Sequence, residues 1–155
     1  MNKHEVTGAA RDISRNMSKA EHKTAREDIA DQYKSDKSAC KAMVGNARHV
    51  CMAEAKGRRQ VAKAGLEANY RPSEKHQHEL NTARLDAAYA TARENCGSLS
   101  GDAKDVCRNE AKGAHLAAKG EAKLAAQAII ASARNVAAEA RRNAAAANRD
   151  VVSAP

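Results

Sequence analysis

Four cysteines stand at Cys40, Cys51, Cys96 and Cys107, so the spacing C-x10-C occurs twice. The midpoint of the first pair falls between Gly45 and Asn46, and that of the second between Gly101 and Asp102. A chain folded back at those glycines sets each pair level on two antiparallel helices. That is within the roughly 5.5–6 Å Cα separation a disulfide prefers. Pairing within each hairpin, Cys40 with Cys51 and Cys96 with Cys107, is the natural one of the three connectivities open to four cysteines. Two other chemistries compete. Zinc would need His49 or His115 to join the thiolates, yet structural zinc sites favour C-x2–4-C spacing, and the repeat equivalents of these histidines are Asp105 and Arg59. A reduced structural pair is the third. The disulfide reading implies an oxidising compartment such as a bacterial periplasm or the extracellular space.

Other reactive constellations are missing from the sequence. It holds no nucleophile elbow, no phosphate-binding glycine loop, no HExxH and no CxxCH. His76 and His78 would diverge on a helix and read as solvated side chains. The carboxylates sit beside Lys or Arg, as Glu110 does with Lys112, and read as solubilising charge. No catalytic residue, metal ligand or cofactor site is expected, and the chain reads as a non-enzyme. A second pattern concerns charge: Arg134, Arg141, Arg142 and Arg149 recur at intervals of seven or eight near the C-terminus. On a helix they run along one side, next to a stripe of alanines. Such a row suits the phosphates of nucleic acid or of another polyanion. With no aromatic residue beside it, base reading is not expected, and a solvated flank is the bland alternative.

The elements that carry these residues follow from an internal duplication at an offset of 56. Tyr33 matches Tyr89, Cys40 matches Cys96, Gly45 matches Gly101, and Glu54 to Gly57 matches Glu110 to Gly113. Ser18 with Glu21 forms a capping-box pattern that opens a helix from about Lys19 to Met43. Gly45 suits that helix's end and Asn46 the cap of the next, over 47–70; Gly101 and Asp102 repeat the arrangement. Pro72 breaks the chain and Ser73 caps a third helix to about Cys96. A fourth runs from Ala103 to about Arg149, with Val151 to Pro155 frayed. Its stripe of Ala122, Ala126, Ile129, Ala133, Val136, Ala140, Ala144, Ala147 and Val151 has the spacing of a helix packed on a neighbour. The units are then a loosely ordered segment 1–17, a first hairpin 18–72 and a second hairpin with a long final helix, 73–155.

Composition admits two states, a disordered polar chain or an all-α architecture of long helices packed closely through small side chains, and with only two prolines and eight glycines it favours the helices. Alanine supplies about a quarter of 155 residues, and there is no Phe or Trp. Leu, Ile, Val and Phe together fall well below the roughly 20% typical of an ordinary core. A net charge of +8 is uneven. Segment 33–72 carries nine basic and three acidic residues and 103–155 nine and five, whereas 73–102 carries three and five. No apolar run approaches the roughly 18 residues of a membrane span, and Met1 to Arg15 has no apolar core of a signal peptide.

The segments Tyr33 to Cys40, Gly45 to Cys51, Glu54 to Gly57, Leu66 to Pro72 and Gly101 to Cys107 resemble a family of small Ala/Lys-rich, cysteine-paired proteins of β-proteobacteria, often labelled TolA-like cell-envelope proteins. The resemblance implies a periplasmic helical protein and carries over no catalytic or binding residue. The expected role is a non-catalytic structural or interaction module of the envelope, stress-protective and self-assembling as a homo-oligomer. The alternative is sequence-independent binding of nucleic acid or another polyanion through the basic C-terminal helix.

Overall fold

The computed structural model describes residues 16–153. The expected segment 1–17 lies almost wholly outside them, as do the last two residues of the expected frayed end. Among the described residues four α-helices follow in chain order, α1 (Lys19–Lys41), α2 (Gly45–Tyr70), α3 (Glu74–Asn95) and α4 (Gly101–Val152), with a 3-10 turn at Cys96–Ser98 before the last. No strand occurs among the described residues.

Local chemistry accounts for the helix starts. Ser18 Oγ accepts from the Glu21 backbone N–H at 3.1 Å, and Glu21 Oε2 accepts from the Ser18 N–H at 2.7 Å, so the capping box forms. Ser73 Oγ accepts from the His76 N–H at 3.0 Å and opens α3 after Pro72. The tips differ from expectation. Gly45 and Gly101 have φ of +61° and +57°, as a reversal without Cβ permits, but they are the first residues of α2 and α4 rather than the ends of the helices before them. Val44 and Ser100 precede them with no side-chain cap, so Asn46 and Asp102 are not N-caps. The left-handed glycine turns the chain directly into the new helix, so the extended N-cap position falls one residue before it, on Val44 and Ser100, and Asn46 and Asp102 lie already inside the first turn. Helix α1 closes two residues earlier than expected. Helix α4 continues past the expected end at Arg149 to Val152.

Each helix packs on its neighbours in sequence, most extensively α2 on α3, and no non-consecutive pair makes an extended contact among the described residues. The result is an open antiparallel row rather than a closed bundle. Small side chains explain how it closes up. At Gly57 an added Cβ would lie 2.8 Å from the Ala87 Cβ, so α2 and α3 meet backbone to backbone there. At the tips a methyl on Gly97 would collide with the Asn46 carboxamide oxygen. The buried core is correspondingly slight: Cys40, Ala55, Leu66, Leu80 and Cys96, with Gly57.

Candidate functional site

Both disulfides are present, Cys40–Cys51 with Cα atoms 5.5 Å apart and Cys96–Cys107 at 5.7 Å. They crown the two hairpins, and Cys40 and Cys96 are fully buried. His49 faces Glu94 at 4.0 Å and His115 bonds Asp86 at 2.7 Å, so neither turns to the sulfurs. His76 bonds Glu79 at 3.0 Å on its own helix. No cluster of three metal-ligating side chains exists among the described residues.

Below each tip an equivalent tyrosine receives a different partner. Arg59 lies over the Tyr33 ring, its guanidinium carbon 4.4 Å from the centroid, with Lys37 on the same ring at 4.5 Å. His115, the repeat equivalent of Arg59, stacks on Tyr89 at 4.5 Å between centroids, while its Nε2–H donates to Asp86. Asp86 also meets Lys119 at 3.6 Å. Hairpin one has a further set at its base. His22 stacks on Tyr70 at 4.1 Å and donates to Glu67 Oε1 at 2.7 Å. That bond holds the Glu67 carboxyl below the ordinary glutamate range, against the opposing effect of burial. Asp36 is likewise lowered, first by a hydrogen bond from Gln32 and then by Arg58 at 3.2 Å.

Where α2 and α3 meet, one face of the row holds a groove of about 1160 Å³ that residue spacing alone did not reveal. Its floor is built from small groups, Ala53, Gly57, Ala64, Ala83, Ala87 and Ala90 among them. Its walls carry opposite charge. On α2 stand Arg48, Lys56 and Lys63; on α3 stand Glu79, Asp86 and Glu94, with Glu67 and Arg93 as the exceptions on each side. The α3 carboxylates recur at intervals of seven and eight, a pattern visible in the sequence but read there as scattered solubilising charge.

The arginine row lies far from this groove in its own chain. Arg134, Arg141, Arg142 and Arg149 are exposed, and no carboxylate lies within ion-pair distance of them among the described residues. Arg141 Nε–H donates to its own helix at the Ala137 carbonyl, 3.3 Å away. At about 100° per residue, Arg134 and Arg141 border the alanine stripe, while Arg142 and Arg149 sit about 80° further round. The row is therefore split, not wholly beside the stripe. Of the stripe itself only Ala122 and Ala126 are half-buried; Ile129 is 60% exposed, Val136 67% and Val151 73%. The expected packing seam thus ends where α3 ends, because no neighbour continues alongside. No helix among the described residues is long and apolar enough to cross a membrane. Compared with known proteins, the chain matches no family model, no curated protein and no solved structure.

Proposed function

We propose that this chain is a non-catalytic, self-assembling structural module of the bacterial cell envelope, working in an oxidising compartment and protecting neighbouring components under stress. The observation that carries it is the overhang of α4. This helix has 52 residues, about 78 Å at 1.5 Å per residue, whereas α3 has 22, about 33 Å. A helix exposing valines and isoleucines along half its length gains by burying them against another surface. The two disulfides fit such a role, since each stiffens a hairpin whose apolar core is small.

The experiment is sedimentation equilibrium on the oxidised chain and on the same chain ending at Ala128. The full chain is expected to exceed its 16.5 kDa monomer mass and the shortened chain to match its own monomer mass. Equal monomeric behaviour of both would refute self-assembly. The unpaired arginines favour a second reading, sequence-independent binding of a polyanion. Retention on heparin that survives physiological salt and is lost when Arg134, Arg141, Arg142 and Arg149 become Gln would favour it, since phosphate-driven binding weakens steeply with salt. Gln preserves helix propensity, so the change tests charge alone.

A further inference from the structure

We propose that the groove between α2 and α3 receives the overhanging half of α4 from a second copy of this chain, reciprocally, in a closed two-fold dimer. This rests on the self-assembly reading and assigns its interface: Glu79 and Asp86 meet Arg134 and Arg141 of the other copy.

Length is the first argument. The contacts Cys96–Cys107 and Asp86–His115 put the start of α3, Glu74, level with about Ile129 of α4. Residues 130–152 then project beyond the body by about 35 Å, nearly the length of α3. An overhang that matches the body lets two copies stand base to base, each tail lying along the other's groove, with neither body overlapping the other. Such an interface is isologous and closes on itself, as in most homodimers.

Charge is the second and independent argument. Arg134, Arg141 and Arg149 follow Glu79, Asp86 and Glu94 at one constant offset of 55 residues. A tail running parallel to the partner's α3 therefore brings all three levels into register together. That is the direction a two-fold axis across the helices imposes, because α4 is antiparallel to α3 within its own chain. Only Arg134 and Arg141 also point correctly around the helix. With Ile130, Ala133, Ala137, Ala140, Ala144 and Val151 on the floor, those two arginines stand roughly 60–80° toward the acidic α3 wall. Glu139 and Asp150 come round the opposite flank, level with Gln60 and with His49. That flank borders the basic α2 wall of Arg48, Lys56 and Lys63. Reversing the tail would set arginines against that wall, so the polarity of the groove selects the same direction as the symmetry.

Steric fit agrees. Alanines on the tail meet alanines and Gly57 on the floor, which permits interaxial distances near the short end of about 8–10 Å. The α3 acids already have local partners, since Glu79 meets Lys75 and His76, Asp86 meets His115 and Lys119, and Glu94 lies near His49. They remain 41–53% exposed and retain lone pairs for a guanidinium.

The test is a charge exchange read by sedimentation velocity. One chain carries Arg134→Glu with Arg141→Glu, the other Glu79→Arg with Asp86→Arg. Alone, each sets like charges together at both sites, and its dimer dissociation constant is expected to rise more than about tenfold. Mixed, the two restore opposite charges at both sites and are expected to form a heterodimer as tight as the parent dimer. Should Asp86→Arg unfold the chain by circular dichroism, Arg134→Glu and Glu79→Arg alone make the same exchange. A dimeric parent whose single variants stay dimeric, or whose mixture stays monomeric, overturns this interface and leaves self-assembly standing. A monomeric parent overturns both.

Discussion

The two hairpins descend from one pattern and are finished differently. Both keep a disulfide under a left-handed glycine and a tyrosine covered from the opposite arm, by Arg59 in the first and His115 in the second. They part at the base. Hairpin one is clasped there by His22, Tyr70 and Glu67; the repeat places His78, Ala126 and Lys123 at those positions. His78 keeps the imidazole, but Ala126 offers no ring to stack on and Lys123 no carboxylate to accept its N–H, so the clasp is not rebuilt. Where the first hairpin is shut, the second is open, and α4 runs on past it. The tip supplies the hairpin, and the base decides whether it ends as a closed unit or as an arm reaching outward.

The largest effect expected from breaking this comparison comes from the disulfides. Replacing Cys40 and Cys51 with Ala, or Cys96 and Cys107, should each cost about 2–3 kcal/mol in the chain-entropy account. Their local consequences should differ. With its base clasp intact, α1 should keep most of its amide protection, while α4 over 101–115 should lose more, since beside its packing on α3 it is anchored by the Tyr89–His115–Asp86 set without a clasp at the base. Hydrogen exchange by mass spectrometry separates the two, and equal losses would erase the distinction drawn between clasped and open bases.

A smaller effect sharpens the comparison at one repeat position. Gly57 and Gly113 are equivalent in sequence, yet a methyl at Gly57 would press on Ala87 while Gly113 faces open space. Gly57→Ala should therefore destabilise by about 1–2 kcal/mol through overpacking. Gly113→Ala should stabilise by about 0.5–1 kcal/mol by removing the helix cost of glycine. Opposite shifts in thermal midpoint are the expected result.

Much of this fold was legible from residue spacing because its signals are local. Ser18 with Glu21, Ser73 after Pro72 and the two C-x10-C spacings each act within about a dozen residues, and each does in the structure what that range dictates. The caps at Asn46 and Asp102 were misread because a Gly–Asn or Gly–Asp pair signals a tight reversal without saying whether the left-handed glycine closes one helix or opens the next. The groove was not legible at all. It depends on Gly57 meeting Ala87, thirty residues apart in sequence, and only that meeting turns Glu79, Asp86 and Glu94 from scattered charges into one wall. The unpartnered half of α4 was half visible: its stripe signals packing, but the surface it packs on lies beyond the reach of the chain's own α3.

Whether overhang and groove complete one another across two copies is read from small-angle scattering of the oxidised protein on a size-exclusion column, which gives mass and maximum dimension together. Because each tail lies along the other body, dimerisation should double the 16.5 kDa mass while the maximum dimension stays near 80 Å, the length of α4 alone. A doubled mass with a dimension well beyond 100 Å would mean that the copies join by tails crossing outside the grooves, and a particle of monomer mass would mean that α4 extends without a partner.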